Sequence, residues 1–347
     1  MNHNDQSFYI AAMSETPEGG IYQYRLNAQG KPEQLSFAPL AGANYMAFSA
    51  DRRTLYSTAN TRQDGGAAAA LRVREDGSLT LLNQIPGDGV SCCYIIPSPG
   101  GKYLYCANYM NSRVTEFSLN PDGSLKARER VIAYQGHGPH PRQTVPHPHF
   151  VNFTPDGRFL AVIDLGLDAV TLYELDGDGR IQTESARVFK VEPGGSGPRH
   201  WVFNRQGNIA YLCNEVGNTT AVLDYAEGCL RQKQILSTLP PGCTAETKAA
   251  AIRLSPDERF LYVSNRGFDS VAVYRVDPAD GTLTLLEIVP SEGSSPRDIA
   301  FLPDGRHFAC ANEFSDRVAF FDFDPESGRI TPNGCSVTLP RPLAIYW

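Results

Sequence analysis

The stretch SGPRHWVFNRQGNIAYLCNEVGN, residues 196–218, holds the unit from which the chain is built. HWVF is β-rich and alternates, RQGN is a turn, and IAYLCN is a second β-rich run. A guanidinium, Arg199, stands just before the first run, and a carboxylate, Glu215, just after the second. Antiparallel neighbours bring the start of one strand beside the end of the other. Arg199 and Glu215 are therefore expected on one rim of one sheet.

The turn and second strand of this unit recur along the chain. They read SADRRTLYSTAN (49–60), SPGGKYLYCAN (98–108), TPDGRFLAVID (154–164), SPDERFLYVSN (255–265) and LPDGRHFACAN (302–312), with a truncated copy, FYIAAM, at 8–13. The equivalent positions Leu55, Leu104, Leu160, Ala210, Leu261 and Phe308 are spaced by 49, 56, 50, 51 and 47 residues. A period near 50 with four strands per repeat is the signature of a β-propeller. Pro-Asp-Gly at 155–157 and 303–305 supplies a preset φ followed by a residue that tolerates positive φ. Asp-Gly at 76–77, 122–123, 178–179 and 280–281 reads as the hairpin between third and fourth strands. FYIAAM begins at a second strand, while RPLAIYW (341–347) matches the first strands PRHWVF (198–203) and PRDIAF (296–301). The expectation is an all-β, seven-bladed β-propeller with four antiparallel strands per blade. It forms one domain over residues 1–347, and its C-terminal strand closes the blade that the N-terminus begins.

Composition narrows the function classes. The chain is 41% hydrophobic, enough for a sizeable core, and its formal net charge of −7 argues against nucleic acid as a partner. There is no run of 18 apolar residues, so no membrane span is expected. The N-terminus MNHNDQSF lacks the apolar core of a signal peptide. The chain is read as a soluble, cytoplasmic protein. Its 8 cysteines have no framework spacing and read as reduced core residues, the adjacent Cys92 and Cys93 included.

In a propeller the first strand of each blade lines the central channel. Aligning the first strands puts Asn44, Cys93, His149, Arg199, Ala250, Arg297 and Arg341 at their entrances. The second strands end on Asn60, Asn108, Asp164, Asn214, Asn265 and Asn312, and the next residues include Tyr109, Leu165, Glu215, Arg266 and Glu313. The Asn/Asp row has an ordinary explanation, since such side chains terminate strands by bonding nearby backbone. The entrance row does not. Its arginines and histidine, with Arg266 close by, make a basic mouth on an acidic chain. Converging like charges cost energy unless an anion sits among them, and the planar fork of arginine suits carboxylate or phosphate. The expected catalytic group is His149, Arg199, Glu215 and Arg266. His147, His200, Arg297, Arg341, Asn108 and Asp164 are expected to contact substrate. Structural roles stay open for Arg297, beside Asp298, and for Arg341, which can pair with a neighbouring blade. The segment YQGHGPHPRQTVPHPH (134–149) departs from the repeat and holds His137, His140, His147 and His149. Their irregular spacing among Pro and Gly suits a loop over the mouth that lends one or two histidines, and no metal is assigned to it.

At these residues the chain resembles the seven-bladed propeller lactonase family, which spans bacterial propeller-type 6-phosphogluconolactonases and fungal carboxymuconate lactonizing enzymes. The resemblance covers essentially the whole chain. It is carried by HPHFVNFTPDGR (147–158), GSGPRHWVF (195–203), CNEVGN (213–218), AAIRLSPDERFLYVSNRG (250–267) and SPRDIAFLPDGR (295–306). It implies a site at His149, Arg199, Glu215 and Arg266 and lactone hydrolysis by an activated water, without cofactor. Glu215 or His149 would take the proton, and Arg199 or Arg266 would hold the oxyanion. Arg297 and Arg341 would hold a phosphate or carboxylate. No G-x-S-x-G motif is present, which argues against a covalent acyl-enzyme. The expected partner is a small anionic lactone, foremost 6-phosphogluconolactone of the pentose phosphate pathway, with neither nucleic acid nor membrane. Two other readings stand beside it. One is an intramolecular lyase closing a muconate with the same residues. The other is a non-enzymatic binding propeller, against which stands the lack of WD40-type Gly-His and Trp-Asp marks.

Overall fold

A computed structural model of the chain describes residues 6–14, 16–61, 65–87 and 92–347. The polar stretch 1–5 lies outside them. The described residues form seven four-stranded antiparallel sheets. Their innermost strands are Met46–Phe48, Tyr94–Pro97, Pro148–Phe153, Pro198–Phe203, Lys248–Leu254, Pro296–Phe301 and Pro342–Tyr346. Each touches the next, and the last touches the first, so the blades close into a ring. The closing strand pairs with Ser7–Ala12, Ile345 opposite Ile10 and Ala344 opposite Ala11. The seven-bladed ring and its closure are as the repeat predicts.

Burial follows position in the blade. The second strands Phe159–Asp164 and Ile209–Asn214 are buried at every residue, because both faces pack against neighbouring blades. In the outer strand Leu125–Ala133 only Leu125 is buried and the other residues are half-buried or exposed, as an outer strand facing solvent on one side should be. One repeated contact stitches the blades together. Tyr9, Tyr56 and Tyr211, each on a second strand, donate to the carbonyls of Gly77, Gly123 and Gly281 at 2.7, 2.9 and 3.0 Å. Each acceptor belongs to the Asp-Gly turn of the next blade. At Gly281 the turn needs φ +73°, and a Cβ there would stand 2.4 Å from Ile209 Cδ1. The Asp-Gly pairs therefore set the fit between blades as well as the hairpin.

The ends of the innermost strands form a second opening on the opposite face. It encloses about 600 Å³ and is bounded by Tyr45, Tyr94, Phe150, Trp201 and Tyr346 among others. The rings of Tyr45, Tyr94 and Phe150 pack in succession, tilted by 30° and 48°, with centroids 4.0 and 4.2 Å apart. They form an aromatic layer between this opening and the basic mouth.

Candidate active site

The mouth residues are aimed by a repeated backbone irregularity. The ladder between first and second strands slips between Pro148 and Phe150, between Pro198 and His200, and between Pro296 and Asp298. The residues left out of the ladder are His149, Arg199 and Arg297. A β-bulge leaves one residue unpaired and re-aims its side chain. The local sequence is the same each time, a proline followed by the functional residue.

In the closing strand the slip falls between Ala344 and Pro342, at Leu343. Leu343, not Arg341, is thus the structural counterpart of Arg199. Arg341 stands between two prolines: Pro340-Arg341 imitates the Pro-Arg of the other first strands, but the strand opens at Pro342 and its bulge falls on the residue after that proline. Arg341 stands outside the strand with φ +43° and donates from Nη2 to Glu313 Oε1 at 2.6 Å. Arg297 Nη1 lies 3.6 Å from Glu313 Oε2. Both arginines therefore have a carboxylate partner in the next row. Asp298, adjacent to Arg297, turns away and pairs with Arg253 at 2.8 Å.

Arg199 and Glu215 meet as the hairpin requires. Arg199 Nε donates to Glu215 Oε2 at 3.1 Å, and Arg266 Nη2 reaches the same oxygen at 2.7 Å. Oε1 accepts from Arg142 Nη2. Burial alone would raise the Glu215 pKa, but the Arg266 and Arg199 guanidiniums outweigh it and hold the carboxyl well below its usual range. Arg199 also donates from Nη1 to the Ala250 carbonyl at 2.6 Å. Burial, with Arg266 and Arg297 nearby, pushes its pKa down to about 10, so it remains a cation at neutral pH.

His149 is buried at this mouth. Burial, and then the Arg199 charge, holds its imidazole well below the ordinary value of 6.5, so the ring is neutral at pH 7. Its Nδ1 and the Nε of Arg266 are buried without a hydrogen-bond partner. Five guanidiniums (Arg142, Arg199, Arg266, Arg297 and Arg341) thus surround two carboxylates, Glu215 and Glu313. The excess positive charge, the neutral base and the two unmet polar atoms suit a small anion with an electrophilic centre.

Other expected contacts fall elsewhere. Asn108 is wholly buried, and its Nδ2 donates to Thr115 Oγ1 at 3.0 Å and to the carbonyls of Cys106 and Arg113. Asp164 Oδ1 accepts the backbone N–H groups of His147 and Leu167 at 2.8 and 3.0 Å. Burial pushes its pKa up to about 6. Both terminate strands, and Asn108 is withdrawn as a substrate contact because its bonds stay within its blade; Asp164 holds a loop through Oδ1, while its Oδ2 is buried without a hydrogen-bond partner. His147 stacks on Tyr109 at 4.1 Å and its Nδ1 lies 2.9 Å from the Tyr109 carbonyl, which makes it the support of Tyr109. His200 lies one layer below the mouth, its ring against Phe150 and Tyr94 and 5.0 Å from His149. It forms part of the floor.

The four histidines of the 134–149 segment serve separately. His140 Nδ1 accepts the Arg142 N–H at 3.1 Å, and His137 Nδ1 lies beside the Gly138 carbonyl. Among the described residues no three His, Cys, Asp or Glu side chains gather as metal ligands would. What this segment brings to the site, besides His149, is Arg142. Its signal was present as the sole arginine of a segment already expected to cover an anion-binding mouth.

A closed ring of seven four-stranded blades with a cationic mouth is a seven-bladed β-propeller whose channel entrance suits an anion. The chain belongs to the family described as lactonase, 7-bladed beta-propeller, which it matches over residues 7–347. It is 33% identical over 341 residues to the 6-phosphogluconolactonase of Bacillus subtilis, covering 97% of each chain. Among solved structures, the periplasmic gluconolactonase of Pseudomonas aeruginosa superposes with a TM-score of 0.91 at 33% identity, covering 98% of both chains. A protein from Lactobacillus plantarum superposes with a TM-score of 0.90 at 32% identity, covering 98% of both. No helix among the described residues is long and apolar enough to cross a membrane.

Proposed function

We propose that this protein hydrolyses a sugar-acid lactone, foremost 6-phosphogluconolactone to 6-phosphogluconate, with His149 as the base. The observation that carries this reading is a neutral, buried imidazole with a free Nδ1 set among five guanidiniums. Glu215 is the poorer candidate for the proton, because arginines occupy both of its oxygens and lower its basicity, whereas His149 has a free nitrogen. Glu215 positions those arginines instead. His149 Nδ1 accepts a proton from water as the oxygen attacks the lactone carbonyl. The tetrahedral oxyanion that forms is met by Arg266 Nε, the donor without a partner, beside Arg199. The imidazolium that results is costly among like charges, and the oxyanion formed in the same step offsets it. Collapse breaks the ring C–O bond, and the imidazolium returns its proton to the leaving alkoxide. The remaining cations attract the substrate's phosphate. A phosphorylated sugar does not cross membranes unaided, which supports a cytoplasmic location.

The test is hydrolysis of 6-phosphogluconolactone and of gluconolactone, measured above the spontaneous rate with and without chelator. Chelator-resistant turnover that falls by about 10²–10⁴ in His149→Asn is the expected result. A wild-type rate equal to the spontaneous rate on both lactones refutes the reading.

A further inference from the structure

Arg142 is the third guanidinium on Glu215, and it differs from the other two in how it is held. Arg199 is a bulge residue of an innermost strand, and Arg266 ends a second strand. Their side chains are 3% and 13% exposed, whereas that of Arg142 is 32% exposed. Arg199 and Arg266 both engage Glu215 Oε2, while Arg142 engages Oε1. If Arg142 leaves, Glu215 keeps two charged partners.

The strap that carries Arg142 is anchored at the next residue. Gln143 is wholly buried, and its Nε2 donates to the Leu165 carbonyl and to Asp168 Oδ1, both at 2.7 Å. Its Oε1 accepts the His140 N–H at 3.0 Å. A Cβ on Gly138 would stand 2.5 Å from that Oε1, so the tight packing needs glycine there. Asp168 in turn accepts the N–H groups of Gly195 and Gly197, at 2.6 and 2.7 Å, on the segment leading to Arg199. The backbone at Arg142 is thereby tied to the blade that bears Arg199, and only the long side chain is left to swing. Arg341 is also exposed, at 48%, but if it left Glu313 that carboxylate would keep only Arg297, at 3.6 Å, whereas Glu215 keeps two close partners when Arg142 leaves.

We propose that Arg142 is the residue by which this site selects lactones bearing a phosphate. On binding, its guanidinium leaves Glu215 Oε1 and closes bidentately on the phosphate, while Arg199 and Arg266 keep Glu215 in place. One charge-assisted bond replaces another, and a dianion attracts the fork more strongly than a carboxylate already shared with two other cations. The inference rests on the lactonase reading above.

The test compares wild type, Arg142→Ala and Arg142→Lys on 6-phosphogluconolactone and gluconolactone, with circular dichroism as the check on folding. Calorimetric titration with 6-phosphogluconate and with gluconate runs in parallel. In Arg142→Ala the preference for the phosphorylated lactone is expected to fall about ten- to a hundredfold, chiefly through KM. Arg142→Lys restores part of it, because lysine supplies the charge without the fork. The titration should show the matching loss for 6-phosphogluconate. Equal losses on both lactones would make Arg142 only a holder of Glu215 and overturn the proposal, as would a preference that survives in Arg142→Ala. If wild type hydrolyses neither lactone, the lactonase reading fails and the titration decides: weaker 6-phosphogluconate binding in Arg142→Ala supports anion selection, and equal binding overturns it.

Discussion

Replacing Glu215 by Gln removes one negative charge from the centre of the site while keeping its shape. The carboxylate is buried and faces Arg142, Arg199 at 3.1 Å and Arg266 at 2.7 Å. Losing it leaves the nearly buried Arg199 and Arg266 charges uncompensated. Breaking a buried ion pair by removing one partner costs about 3–5 kcal/mol. An unfolding entropy of about 2.1 cal/mol/K per residue amounts to about 0.73 kcal/mol/K for this chain, so the expected fall in Tm is about 4–7 °C. The pH dependence has a definite sign. The folded-state pKa of Glu215 is depressed below its usual 4.5. Its stabilisation is therefore complete above about pH 4.5 and is lost as pH falls through the lower, folded-state value. The gap in Tm between wild type and Glu215→Gln should be flat from pH 8 to pH 5 and narrow in acid. Thermal denaturation followed by circular dichroism across that range checks it. A Tm within 1 °C of wild type at pH 7, or a gap that widens in acid, would refute the account of Glu215 as the electrostatic centre.

Three further outcomes follow from the same geometry. Because His149 acts as the neutral imidazole and its pKa is lowered, the acid limb of kcat/KM on the lactone should lie well below pH 6.5; a limb at 6.5 or above on a pH–rate profile contradicts this. Asn108→Ala should lower stability by about 1–3 kcal/mol, read by denaturant titration, while kcat/KM stays within about threefold, because its bonds go to the blade and not to the mouth. Deleting residues 342–347 removes the innermost strand of the closing blade and the Trp347 Nε1 bond to the Phe301 carbonyl at 2.6 Å. The truncated chain should lose the cooperative thermal transition of the intact ring.

Much of the site was legible because propeller repeats convert sequence register into position. Once Arg199 and Glu215 were assigned to the start and end of paired strands, their meeting followed from antiparallel geometry, and Arg266 fell in the same row by repetition. The register failed at Arg341, where Pro340-Arg341 imitates the Pro-Arg of other first strands although the strand opens at Pro342 and the bulge falls at Leu343. It also overcounted Asn108, whose place in the row is real but whose polar atoms bond within its own blade. Arg142 lay outside the register altogether, because its strap belongs to no repeat.

The sequence by itself determined the number of blades, the closure of the ring and the rows from which a basic mouth is built. These depend on alternation, turn chemistry and spacing, all of which are local along the chain. Only the tertiary structure decided which charges neutralise which. Glu215 takes three arginines from separate parts of the chain, Glu313 takes two, and His149 is left neutral with a free nitrogen. Those outcomes depend on burial and on distances of a few ångströms between blades, and both arise only when the ring closes and water is excluded.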